Sequence, residues 1–126
     1  MKPGARVAAV IELLEELDGL WQQGAQTPVD VVVARYYRQR RFIGSKDRRE
    51  ISRQIYGVLR QEAKLEWWLE RTGYDRSPRG MVLSGLVFLD SLSLPELNGL
   101  FDGDLYCPSP LSTEETDWVQ VNAVLS

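Results

Sequence analysis

Ser45-Lys46-Asp47-Arg48-Arg49-Glu50-Ile51-Ser52-Arg53-Gln54-Ile55-Tyr56-Gly57-Val58-Leu59-Arg60 is the stretch on which the fold turns. Ile51, Ile55, Val58 and Leu59 recur at helical spacing and define one apolar side. At about 100° per residue, Lys46, Arg49, Arg53 and Arg60 fall within a ~60° sector on the opposite side. Ser45 is expected to cap this helix, Asp47 sits in its first turn, and the helix runs to about Ala63. Such a segment needs other amphipathic helices to cover its apolar face.

The rest of the chain supplies them. Pro3 to about Gln23 carries Val7, Val10, Ile11, Leu14, Leu17 and Trp21 on one helical face. Thr27-Pro28 predicts a helix start, with Thr27 as cap and Val29, Val32, Val33, Tyr36 and Tyr37 inside, ending near Arg40. Leu65, Trp67, Trp68 and Leu69 form a short apolar helix ending near Gly73. Ser77-Pro78 opens another with Met81, Val82, Leu86 and Leu89 inside, and Leu94-Pro95 begins a short one to about Leu100. After a loop from Asp102 to Leu111, Ser112 and Glu115 have capping-box spacing and start a last helix with Trp118, Val121 and Leu125. No segment alternates as a strand does. The expected fold is therefore an all-α bundle of six or seven helices, a single domain over residues 1–126.

Composition limits the function. At 126 residues, 44% hydrophobic and 26% charged, the chain is long enough for one true core and too apolar to be disordered. Its apolar runs are too short to span a bilayer, and Glu12, Glu15 and Glu16 interrupt any signal segment, so a cytoplasmic location without membrane contact is expected. With no histidine and one cysteine, a His/Cys zinc site, a Ser-His-Asp triad, a Cys-His pair and an internal disulfide are all excluded. Cys107 thus reads as an incidental thiol, and Asp102 and Asp104 as a solvated loop rather than a metal site. Gly44-Ser45-Lys46 lacks the spaced second glycine of a phosphate loop. No residue is assigned to catalysis.

Charge patterning is more informative. Ten of the fifteen Lys and Arg residues lie between Arg35 and Lys64 against three acids, a local charge of +7 in a chain of net charge −3. Polyanions respond to that local potential. Arg38, Arg41, Lys46, Arg49, Arg53 and Arg60 are the candidate phosphate contacts, with Arg35 also outward on its helix and Tyr56 bordering the ridge as a stacking surface. A solvated outer face or a protein-binding surface remains the alternative. Arg48 projects toward the apolar side and is expected to serve structure, as an ion pair or an anchor between domains. Asp47 reads as a helix-start acid or the partner of a nearby Arg. Trp67 and Trp68 are adjacent and point different ways, one toward core and the other toward an interface. The chain stops in or just after a helix with no C-cap or polar tail. It reads as the start of a longer protein, the alternative being a natural terminus with a frayed end.

The run Phe42-Ile43-Gly44-Ser45-Lys46-Asp47-Arg48-Arg49-Glu50-Ile51 resembles the N-terminal region of bacterial RsmB/Sun-type (RsmB/NOP family) RNA cytosine-5 methyltransferases. So do Ile55-Tyr56-Gly57-Val58-Leu59-Arg60, Leu65-Glu66-Trp67-Trp68-Leu69, Leu100-Phe101-Asp102-Gly103, Tyr106, Pro108 and Pro110-Leu111-Ser112. That region is similar to the all-helical antitermination factor NusB. The resemblance spans about residues 5 to 125, and Gly44 to Arg48 is its most specific part. It implies a NusB-like domain that recognises ribosomal RNA ahead of a methyltransferase domain. In that domain S-adenosylmethionine and two cysteines would do the chemistry. Cys107 matches neither cysteine motif. The resemblance also implies an RNA-facing or structural role for Lys46, Asp47, Arg48 and Arg49. Two other readings stand beside it: a protein-interaction module docking through the ridge or Trp67/Trp68, and a free-standing NusB-like antitermination factor.

Overall fold

In a computed structural model, which describes residues 1–123, seven helices follow one another with no strand among the described residues. They are α1 (Pro3–Gln22), α2 (Val29–Gln39), α3 (Ser45–Arg60), α4 (Glu62–Arg71), α5 (Pro78–Phe88), α6 (Leu94–Leu100) and α7 (Thr113–Asn122). The all-α expectation holds. None of these helices is long and apolar enough to cross a membrane.

Two helices form the centre. α1 packs against α2, α3, α5 and α6, burying Val7, Val10, Leu13, Leu14 and Leu17. α5 is buried along Gly80 to Val87, as expected of a helix apolar on every side. It lies against α1, α3 and α4. A Cβ on Gly85 would stand 3.2 Å from Val58 Cγ2, so glycine allows α3 to approach α5 closely. Ile51, Ile55 and Val58 point into this centre from α3. Each such side chain contributes about 1.5–3 kcal/mol on burial, against about 1 kcal/mol for a typical cap.

Gln61 ends α3 and also precedes α4, so the chain breaks there rather than continuing to Ala63. The break lets Leu65 and Leu69 face α5. Aromatic rings close the other end. Trp68 stacks on Phe88 with centroids 5.0 Å apart, and Phe88 meets Trp118 edge-on at 5.7 Å. Trp118 Nε1 also donates to Thr72 Oγ1 at 2.8 Å, which fixes α7 to the end of α4.

Several local expectations differ from the fold. Thr27 does not cap α2; Pro28 is the N-cap residue, its carbonyl accepting from Val31 and Val32. Ser45 does not cap α3 but is its first residue, because the Arg48 amide bonds to the Gly44 carbonyl at 2.9 Å and makes Gly44 the N-cap. Trp21 and Val121, expected on apolar faces, are exposed. Leu125 lies outside the described residues. Ser77 and Ser112 cap α5 and α7 through their hydroxyls, the latter in a full capping box with Glu115.

Candidate nucleic-acid interface

The inward set of apolar residues on α3 dictates what faces out. Lys46, Arg49, Arg53 and Arg60 are all exposed, as are Arg38 on the last turn of α2 and Arg41 in the turn between the helices. Among the described residues, Arg38, Arg41, Lys46, Arg48, Arg49, Arg60, Lys64 and Arg71 reach no carboxylate, whereas Lys2, Arg6, Arg35, Arg40, Arg53, Arg76 and Arg79 each do. Most of the unbalanced positive charge is thus on α2, α3 and the turn joining them, with Lys64 and Arg71 on α4.

Arg53 is the ridge member that the fold neutralises. Its guanidinium donates to Glu50 at 2.7 Å and to Asp90 at 3.1 Å. These hydrogen bonds, first that to Glu50 and then that to Asp90, raise its pKa, and the bond from Arg53 in turn lowers that of Glu50. Asp90 follows α5 and arrives beside Arg53 only through the packing of α3 on α5. Tyr56 is similarly engaged. Its hydroxyl donates to Asp30, and burial followed by that bond pushes the phenol up to about 12. Arg35, expected outward on its helix, donates to Glu16 at 3.1 Å.

Arg48 turns inward. Its Nε donates to the Ile43 carbonyl at 2.7 Å and a terminal nitrogen to the Tyr37 carbonyl at 3.4 Å. Tyr37 closes the cycle, its hydroxyl donating to the Arg48 carbonyl at 2.9 Å. Of the structural roles expected for Arg48, an ion pair or an anchor between domains, the described residues supply no carboxylate for the first, and backbone carbonyls take its place. Asp47 accepts from Arg6 Nε at 2.7 Å, tying the start of α1 to that of α3. Trp67 is exposed with Arg71 over its ring at 4.4 Å, and Trp68 is partly buried against Phe88.

One feature was not legible beforehand. Phe42 (80% exposed), Leu105 (73%) and Tyr106 (78%) border a groove of about 830 Å³ between the α2–α3 turn, α1 and the Asp104–Cys107 loop. Neither turn has a periodicity that announces exposure; only the placement of Phe42 beside Arg41 and before Gly44 hinted at a displayed ring. Cys107 is half-buried in the groove wall, and burial pushes its thiol up, away from nucleophilic use. Asp104 pairs with Lys2, and no group of acids, Cys or His able to hold a metal occurs among the described residues. No family model, curated protein or solved structure matches the chain.

Proposed function

We propose that this domain holds RNA by its phosphate backbone along α2, the following turn and α3. The observation carrying this reading is the set of unpaired cations, Arg38, Arg41, Lys46, Arg49 and Arg60, on a molecule whose other cations are mostly ion-paired. Lys46 lies in the first turn of α3, where the helix dipole disfavours a cation. A polyanion lying across that end would relieve the repulsion.

The resemblance extends the proposal. The domain would be the substrate-recognition part of an S-adenosylmethionine-dependent ribosomal RNA 5-methylcytosine methyltransferase, acting in the cytoplasm. S-adenosylmethionine and the two cysteines belong, on this reading, to a separate catalytic domain.

The test is RNA binding as a function of salt. Five phosphate contacts predict a slope of log K against log salt of roughly −3.5 to −4.5. The double reversal Lys46→Glu/Arg49→Glu should weaken binding at least about tenfold at low salt and flatten the slope. A flat response in the unaltered protein removes the reading. A protein-interaction module is the second reading, favoured by the closure of Arg53 on Asp90 and by Trp67, which is 48% exposed. It predicts no salt-dependent RNA affinity at all.

A further inference from the structure

The groove beside the basic edge has the lining of a site that accepts a flat, apolar-faced group. Its floor is made by the small side chains Ala5, Ala8 and Ala9 of α1, and its borders by Phe42 and Tyr106. A ring as exposed as Phe42 gains nothing for the fold by standing in a turn. Tyr106 is held at φ +67°, a backbone conformation unfavourable for a residue with a Cβ. The loop carrying it is fixed by Gly103 N–H to the Pro108 carbonyl, Cys107 N–H to the Asp104 carbonyl, and the Lys2–Asp104 pair. Both rings are therefore displayed by ordered backbone.

Charge in the groove wall is paired off, and the free cations lie beside it. The acids in its wall are taken up: Glu12 accepts from Tyr36 at 3.1 Å and lies 3.9 Å from Arg40, and Asp104 is paired with Lys2. On the α2–α3 side, Arg41 adjoins Phe42, and neither it nor Arg38 meets a carboxylate. A chain with a phosphate on Arg41, next to Phe42, would bring a base toward the groove. Bases in a duplex are stacked and paired, and cannot enter; unpaired bases can, and they stack on aromatic side chains.

We propose that the ligand is single-stranded RNA, with its backbone on Arg38, Arg41 and Lys46 and an unpaired base stacked on Phe42 or Tyr106 in the groove. This rests on the RNA reading above and adds strandedness and base contact to it. The experiment compares a fluorescently labelled RNA oligonucleotide, single-stranded and as its duplex, by anisotropy. The single strand is expected to bind more tightly. Phe42→Ala and Tyr106→Ala should each weaken it about fivefold or more while leaving duplex affinity and the salt slope unchanged. Tyr106→Phe, which keeps the ring, should retain binding, and thermal melts confirm folding because both side chains are exposed. Lys46→Glu should weaken single strand and duplex alike.

Alanine variants that bind the single strand as tightly as the unaltered protein would overturn the stacking proposal and leave the backbone reading intact. The same holds if duplex binds as well as single strand. Absence of any RNA binding by the unaltered protein removes both proposals and turns the groove into a candidate site for an apolar anchor of a protein partner.

Discussion

Arg48 and Arg49 are neighbours in the chain, but a helix sets successive side chains about 100° apart. Arg48 therefore reaches the Ile43 and Tyr37 carbonyls, while Arg49 stands in solvent without an acidic partner. Removing the first leaves polar groups of the turn unsatisfied; removing the second leaves the fold untouched. Arg48→Ala should destabilise by about 1.5–3 kcal/mol, the range for hydrogen bonds from a charged donor. Arg48→Lys should recover little, because an ammonium cannot span two carbonyls as the planar guanidinium does. Arg49→Ala should change stability by less than about 0.5 kcal/mol but make the salt slope of RNA binding shallower by about 0.7–0.9. Chemical denaturation and binding titrations on the same two variants separate the roles. Loss of stability in Arg49→Ala, or of salt slope without loss of stability in Arg48→Ala, would contradict the assignment.

Helix ends show what local sequence can specify. Ser77 and Thr27 each precede a proline, yet only Ser77 caps. A Cβ on Gly80 would stand 2.4 Å from the Asp75 carbonyl, so the tight turn that brings Ser77 Oγ to the Gly80 amide requires glycine there. The equivalent position after Thr27 is Asp30, whose carboxylate is engaged by Tyr56 from α3. Periodic faces were legible because burial repeats with the helix, which is why the basic ridge could be drawn from α3 alone. Pairings across the fold were not: Arg6–Asp47, Arg53–Asp90 and Arg79–Glu115 are 41, 37 and 36 residues apart. Only tertiary packing brings them together.

The last of these pairs governs α7. Burial pushes the Glu115 carboxyl up, but hydrogen bonds from Arg79 and from the Ser112 amide outweigh it, leaving the pKa below the usual glutamate value. A carboxyl whose folded pKa is depressed stabilises the protein above its unfolded value, about 4.3, and that contribution is lost as pH falls through the folded pKa. Glu115→Gln should therefore cost about 1.5–3 kcal/mol at neutral pH and lose less stability on acidification than the unaltered protein. Equal acid sensitivity of the two, followed by circular dichroism, would show that Glu115 contributes nothing to the docking of α7.

At the scale of the molecule, charge is separated rather than balanced. The chain carries net charge −3, and no Lys or Arg occurs beyond Arg79, yet α2 and α3 present unpaired cations. An RNA ligand would respond to this local field, not to the total. Arg53 tests that distinction because it lies on the ridge but is occupied by Glu50 and Asp90. These pairs are exposed enough to be worth no more than about 0–1 kcal/mol each, so they can be removed without unfolding the protein. Glu50→Gln/Asp90→Asn would release Arg53 to the ridge, and the RNA salt slope should steepen by about 0.7–0.9 with a matching gain in affinity. Glu114→Gln/Asp117→Asn removes the same charge from exposed positions on α7, a different element from the ridge helices. That control should leave affinity and slope nearly unchanged, since beyond about 8–10 Å exposed charges are largely screened at physiological salt. If both pairs of substitutions raise affinity equally, net charge rather than the α2–α3 surface governs binding, and the interface assigned here is wrong.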